Sequence, residues 1–530
     1  MNEIVYDVLV IGGGLSGLTA AYRLLQHNRS LKVLVLEAKD RIGGRTLSAK
    51  LKCENGKDMW DLGGQWVGSP QVHVMKLIEE LGLEVHNQFN KGAKFARLSD
   101  GKIRKYSSAL PMVSPFSLLD IYFFINKADK LSQETLLNSN LSKRLDSQTL
   151  ENFKQNHCWT EGAKELFDSA CGVIFGAHPS QISLLFFLHY CQCAGGVEPI
   201  LESGKGSGQE WRIKGGAQTI SHKLLEMIGD ENVWLEEPVT EISQENDNET
   251  IDVVTRTGKK ITSKYVVMAI PPHQALNISF TPNLPFDKEH LLRHMPVGHL
   301  IKFVVTYPKT FWRENGLSGE IVSFDDFKFS DKNVNGNSES TNEFDDISFV
   351  GEAPVSIVYD ATSANGNAAL VGFISGVAAA RWTHKKEDEQ IKGIIKFLTN
   401  FFGKEAENYL DFGIKDWSKE AWNGGCPVNY TTPGTLSIYG DCLKNPFGRI
   451  HWAGTETATL WSGFMNGAVQ SGTRAANEVL TKIDPKFIPV YQDNEQPRQN
   501  IARKSGNNFL KFGILTAVSL IAIFIAMVWF

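Results

Sequence analysis

Val5 to Ile11 is almost continuously apolar, as a strand covered on both faces of a parallel sheet is. Gly12-Gly13-Gly14-Leu15-Ser16-Gly17 follows, and Leu15, Leu18, Tyr22 and Leu25 then recur at helical intervals, which predicts strand, tight turn and helix. A second apolar run, Val33 to Leu36, ends in Glu37. Farther along, Leu300-Ile301-Lys302-Phe303-Val304-Val305 is apolar on both alternating faces except at Lys302. Burying an ammonium costs several kcal/mol unless it is partnered or neutralised, so a strand buried on both faces carries a lysine for a use. The alternative is an edge strand from which Lys302 snorkels to water. Residues 325–348 break the pattern: Asp331 to Ser340 holds almost no apolar side chain and predicts a mobile insertion. The last run, Phe512 to Phe530, is 19 residues without a charge. As a helix it spans roughly 28 Å, close to the hydrocarbon thickness of a bilayer, so 509–530 reads as a transmembrane anchor behind a 484–508 linker.

Chemistry first enters at the glycines. Gly12, Gly14 and Gly17 stand in the G-x-G-x-x-G spacing, and Glu37 lies 20 residues after Gly17. Such glycines allow the turn, let backbone approach a pyrophosphate at a helix N-terminus and let helix pack on strand, while the carboxylate accepts hydrogen bonds from ribose hydroxyls. An acid at that position argues against a 2′-phosphate and hence against NADP. Asp40-Arg41-Ile42-Gly43-Gly44-Arg45 adds a glycine pair and two guanidinium groups suited to a second phosphate contact.

Composition narrows the classes. With 530 residues, 42% of them hydrophobic, the chain is globular, and a formal charge of -5 lacks the basic excess of a nucleic-acid binder. Seven cysteines at no repeated spacing give neither a disulfide framework nor a zinc site, so no metal is expected and a reducing compartment is the default. The N-terminus has no basic region and too short an apolar run for a signal peptide. Arg498, Arg503, Lys504 and Lys511 precede the terminal run and by the positive-inside tendency keep the bulk cytosolic, which predicts a tail-anchored protein.

Together with Asp61-Leu62-Gly63-Gly64-Gln65-Trp66 and His451-Trp452-Ala453-Gly454-Thr455-Glu456-Thr457, these motifs resemble the flavin-containing amine oxidase family, with the strongest likeness to the membrane-anchored monoamine oxidases. The resemblance implies an α/β fold: a Rossmann-type FAD-binding domain (5–88, 211–290 and 420–483) interleaved with an α+β substrate domain (89–210 and 291–419), plus the C-terminal transmembrane helix. It implies FAD contacts at Gly12, Gly14, Gly17, Glu37, Arg41, Gly44, Arg45, Gly64, Gln65, Val239, Gly454, Thr455, Glu456 and Met465. Lys302 matches the lysine that holds a water at flavin N5, and Phe464 and Trp417 join it as catalytic positions. Cys426 matches a cysteine thioether-linked to the flavin, but Pro427 stands where those enzymes carry a tyrosine, which leaves both covalent and non-covalent FAD open. The two tyrosines of the family's aromatic cage are here Phe464 and Pro427, which implies a wider slot. Trp66, Val173, Ile174, Leu201, Gln209, Ile357 and Pro427 match pocket positions, mostly apolar, as an arylalkyl amine requires.

The expected activity is oxidative deamination of an amine by dioxygen to aldehyde, ammonia and hydrogen peroxide. The alternatives are a polyamine or L-amino-acid oxidase on the same fold, marked by acidic pocket residues or by an arginine, and an inactive flavin-binding membrane scaffold. The likeness further implies the mitochondrial outer membrane and allows a homodimer.

Overall fold

The computed structural model describes residues 4–107, 114–135, 138–244, 249–324 and 352–489. The insertion at 325–348, the anchor at 509–530 and the linker beyond 489 lie outside the described residues. Among the described residues no helix is long and apolar enough to cross a membrane.

Two large sheets organise the chain. The first runs in the order Val233–Trp234, Val33–Leu36, Val5–Ile11, Lys260–Met268, Ile251–Thr255, Val239–Ser243 and Ser279–Thr281, and Ile450–Trp452 also pairs with Lys260–Met268. Val5–Ile11 lies parallel to both of its neighbours, with Val10 opposite Val35 and Val267. Because both faces are covered, Val8 to Ile11 are all buried, which is why the run shows no alternation. The helix Leu15–His27 packs on this sheet beside Met465–Ile483, from the far end of the sequence. The two helices meet closely, since a Cβ at Gly472 would stand 2.2 Å from the Ser16 carbonyl oxygen, and the first helix meets the turn before it just as closely, since one at Gly17 would stand 2.0 Å from the Gly12 carbonyl oxygen. Any larger side chain would force the helices off the strand and the turn apart.

The second sheet has seven strands in the order Asp411–Asp416, Leu300–Thr306, Ala369–Ser375, Ile357–Asp360, Leu317–Ser323, Ala93–Arg97 and Ile103–Tyr106. Leu300–Thr306 is flanked on both sides by antiparallel partners, and all seven of its residues are buried. The snorkelling alternative for Lys302 therefore fails: its strand is interior, and there is no edge to reach. A helical layer that includes Pro115–Thr135, Glu161–Phe175, Leu184–Cys193 and Glu198–Leu201 builds an aromatic-rich core of its own, which meets Val428, Tyr430 and Trp461.

Candidate active site

The carboxyl ends of parallel strands are where open α/β sheets bind ligands. Here Val5–Ile11, Lys260–Met268 and Ile450–Trp452 run out into Gly12, Ala269 and Gly454, and all three turns line one cavity of about 350 Å³. One group of lining residues is Gly12, Gly14, Glu37, Gly44, Val239 and Arg256; another is Lys302, Trp66, Phe373, Tyr190, Phe464 and Cys426.

Glu37 is held by backbone alone. The N–H of Gly13 donates to its Oε2 at 2.6 Å and the N–H of Lys39 to its Oε1 at 2.9 Å. Burial pushes its carboxyl above the ordinary range, and these two donors partly offset that. Beside it, the helix Leu15–His27 opens at Gly14 with no side-chain cap, so its first N–H groups are available to an anion. A Cβ at Gly44 would stand 3.2 Å from the Gly14 Cα, so the two loops touch through their glycine backbones and leave the cavity clear. The helix Met465–Ile483 likewise starts at the cavity, and its N-cap, Phe464, offers no side-chain bond. Two uncapped helix starts and a fixed buried carboxylate form the donor and acceptor set that a dinucleotide's phosphates and ribose need.

Arg45 bridges two of the family motifs. Its Nη1 donates to Glu456 Oε1 at 2.6 Å and to the Pro427 carbonyl at 3.0 Å, and its Nη2 donates to Glu456 Oε2 at 3.1 Å. Burial alone would raise the Glu456 carboxyl, but the guanidinium outweighs it and the net shift is downward.

Lys302 is 2% exposed, and its Nζ donates to the Gly63 carbonyl at 2.8 Å and to Gln65 Oε1 at 2.5 Å. The ring centroids of Phe373 and Trp66 lie 5.3 and 5.7 Å from the same nitrogen. Burial pulls its pKa down to about 7; Asp61 acts upward and Arg212 downward. A lysine in that range exchanges its proton near neutrality, as an acid–base group must. Cys426 is buried and unpaired, and burial pushes its thiol up to about 12 against the opposing pull of Arg45 and Lys302.

Most of the expected residues converge on this cavity. Gly12, Gly14, Glu37, Gly44, Arg45, Gly64, Gln65, Trp66, Val173, Ile174, Gln209, Val239, Lys302, Trp417, Cys426, Pro427, Gly454, Thr455, Phe464 and Met465 all line it. Five do not. Gly17 lies behind the turn in the helix contact already described. The Arg41 guanidinium donates to the carbonyls of Ile42, Gly44 and Thr46 and to Glu420, so it braces its own loop. Glu456 is turned into its pair with Arg45. Leu201 faces a small apolar void beside Phe167 and Cys171, and Ile200, one residue and about 100° around the helix, takes the cavity wall. Ile357 is displaced by register: Phe373 stands opposite Lys302 on one side and opposite Ile357 on the other, so Phe373 is the nearer neighbour.

Sequence reasoning missed Tyr190, Ile200 and Phe373. Phe373 becomes visible only once strands are paired. Tyr190 sits in the almost wholly apolar helix Leu184–Cys193, where its sole signal is a phenol among aliphatic and phenyl groups. Its ring centroid lies 5.8 Å from that of Phe464.

Comparison with known proteins accords with this geometry. The sequence model of the family described as "Flavin containing amine oxidoreductase" matches residues 15–480. The human protein "Amine oxidase [flavin-containing] B" is 34% identical over 482 residues, covering 89% of this chain and 86% of its own. Among solved structures, "Cyclohexylamine Oxidase from Brevibacterium oxydans IH-35A" superposes with a TM-score of 0.77 at 28% identity, covering 91% of this chain and all of its own. A wild-type putrescine oxidase bound to putrescine superposes with a TM-score of 0.78 at 25% identity, covering 90% and 100%. The chain belongs to the flavin-containing amine oxidoreductase family, and it is an oxidoreductase with FAD as its cofactor and amines and dioxygen as its substrates.

Proposed function

We propose that the enzyme oxidises neutral, apolar monoamines, in the manner of a monoamine oxidase. The observation that carries this reading is the wall around Lys302. The ring centroids of Trp66 and Phe373 stand 5.7 and 5.3 Å from its nitrogen, and Val173, Ile174, Ile200, Tyr190 and Phe464 line the same cavity, whose acidic lining residues are Glu37, held at the Gly13 turn, and Glu237, two residues before the strand Val239–Ser243. A second ammonium of a diamine would lose its water against such a wall without a partner. A substrate carboxylate would find Arg45 already engaged by Glu456. Of the two solved structures named above, cyclohexylamine oxidase is named for an apolar monoamine, in keeping with this wall, and putrescine oxidase for a diamine.

FAD, when bound, would supply the two-electron acceptor for oxidation of the amine to an imine, whose hydrolysis by water gives aldehyde and ammonia, with dioxygen as the final acceptor, reduced to hydrogen peroxide. The chain's own groups do the rest. Gly12, Gly14 and the helix start at Leu15 would hold its phosphates, and Glu37 would accept from its ribose hydroxyls. Gly44, Gly64, Gln65, Val239, Gly454, Thr455 and Met465 shape the remaining cofactor bed. Lys302 would hold a proton, and through its remaining N–H a water, at the reacting end. The rings of Phe464 and Tyr190, with centroids 5.8 Å apart, add aromatic surface to the cavity, and the apolar wall strips the incoming amine of water and favours its uncharged form. Trp417, whose Nε1 donates to the Leu62 carbonyl at 2.9 Å, fixes the floor beneath Lys302.

Anaerobic mixing of the holoenzyme with cyclohexylamine or benzylamine tests the reading. Bleaching of the flavin by these amines and not by putrescine or L-leucine is expected; the reverse pattern overturns it. The uncharged run 512–530 supports a membrane anchor, and likeness to the anchored monoamine oxidases points it to the mitochondrial outer membrane with the catalytic part in the cytosol. Deleting 509–530 is expected to move the protein from membranes to the soluble fraction with FAD retained, and retention on membranes would remove that segment as the anchor.

A further inference from the structure

A second and much smaller chamber of about 30 Å³ is lined by Gln65, Asp61, Arg212 and Val304, two residues along the strand from Lys302. Gln65 belongs to both spaces: it lines the main cavity and this chamber, and its Oε1 accepts the Lys302 bond. Its Nε2 is buried with no hydrogen-bond partner. Arg212 enters the same chamber from the strand Trp211–Ile213. Its Nη2 donates to the Thr362 carbonyl, but its Nε is likewise buried without a partner. Gln65 and Arg212 are 4% and 7% exposed, so neither orphan donor can find bulk water. Two side chains that line one space, each with a buried N–H left without a partner, call for an acceptor there, because an unmade hydrogen bond of a buried donor is costly.

The chamber is polar and large enough for one. A water needs roughly 10–15 Å³ and two to four polar partners. Asp61 also lines the chamber, its Oδ1 accepting from Ser48 Oγ at 2.6 Å and from the Ala217 N–H at 2.8 Å. The carboxylates of Asp58 and Asp61 in the wall disfavour an anion beside Arg212, and the orphan N–H groups disfavour a cation. That leaves a neutral acceptor. The chamber reaches the exposed rim at Ala364 and Asn365, so water has an entry separate from the substrate cavity.

We propose that this chamber is a water site joining Arg212 Nε to Gln65 Nε2, and that through it Arg212 is a positioning residue for the Lys302 ammonium. The bound water accepts from both donors and so fixes the Gln65 amide with its oxygen toward Lys302. Without it the amide could turn over and present an NH₂ group to the ammonium. The charged and titratable groups acting on Lys302 are Asp61, Arg212 and Cys426; those acting on Arg212 are Asp61, Asp360 and Arg313. His86, also in the wall, is held by burial and by Arg212 at about 4 and is neutral at pH 7.

The inference rests on Lys302 facing the flavin, and two measurements separate the two ideas. A crystal structure of the wild-type holoenzyme is expected to place a water within hydrogen-bonding distance of both Gln65 Nε2 and Arg212 Nε. A dry chamber, or a direct bond between the two side chains, overturns the proposal whatever the variants do. Second, the flavin absorbance of the amine-free holoenzyme is titrated from pH 5.5 to 9. A transition that Lys302→Met abolishes reports the ammonium. Arg212→Lys, which keeps the positive charge but removes the Nε donor that anchors the water, is expected to lower its midpoint by about 0.5–1 unit as the Gln65 amide turns over, whereas Arg212→Met also removes a like charge and is expected to lie above Arg212→Lys. An unmoved midpoint in Arg212→Lys overturns the positioning role. Persistence of the transition in Lys302→Met would refute the reading of Lys302 itself, and the water between Gln65 and Arg212 would still decide the chamber.

Discussion

Replacing Arg45 by methionine is the sharpest test of how the cavity's floor is held. The Glu456 side chain is 1% exposed, and it receives both guanidinium nitrogens, whereas Arg45 itself keeps 23% of its side chain exposed. Removing the cation strands a carboxylate in a dry site, and breaking a buried pair from one side costs about 3–5 kcal/mol. Glu456→Gln should cost less, since the surviving Arg45 is partly exposed and still donates to the Pro427 carbonyl. The double variant should recover part of the Arg45→Met loss, giving a coupling energy of about 1–3 kcal/mol. The sign with pH follows from the carboxyl. In the wild type its folded pKa is depressed, so its stabilisation is present above the unfolded value and is lost as pH falls through the folded one. In Arg45→Met burial acts without the guanidinium and the folded pKa rises. The penalty is then full at neutral pH and shrinks as pH falls toward the unfolded carboxyl value. Urea unfolding followed by tryptophan fluorescence at pH 7.5 and 5.5 reads both effects. A loss below about 1 kcal/mol, or one equal at both pH values, would refute the reasoning.

Three other outcomes are expected. Lys302→Met should keep FAD but slow the reaction with dioxygen, and wild-type kcat/KM for oxygen should fall as pH rises through about 7, where the ammonium is lost; a flat profile in the wild type counts against the role. Acid precipitation should leave flavin colour in the pellet if Cys426 forms the thioether and release it all in Cys426→Ala; colour in the wild-type supernatant marks non-covalent FAD. Pro427→Tyr should raise the rate on benzylamine relative to a bulky alpha-substituted amine by restoring an aromatic wall, and an unchanged ratio would show that Tyr190 or another ring already fills that place.

What could be read before folding was what lies within one strand, turn or helix. The Val5 to Gly17 segment carries its own turn chemistry, and Lys302 advertised itself by interrupting an apolar run on both faces. Relations between elements were hidden. Arg41 and Arg45 look alike in Asp40-Arg41-Ile42-Gly43-Gly44-Arg45, yet one ties up carbonyls of its own loop and the other meets Glu456, 411 residues on. Phe373 and Ile357 differ only in which of them is one strand nearer to Lys302. The orphan donors of Gln65 and Arg212 are likewise invisible without the packing, since any glutamine or arginine is bland in sequence.

The central claim, an apolar monoamine in an aromatic slot before Lys302, is tested most directly by peroxide release. With purified holoenzyme in air-saturated buffer, kcat/KM for cyclohexylamine is predicted to exceed that for putrescine by at least ~100-fold, about 2.7 kcal/mol for a second ammonium left without a partner. L-leucine should give no peroxide. A ratio near one, or a preference for the diamine or the amino acid, would contradict the account.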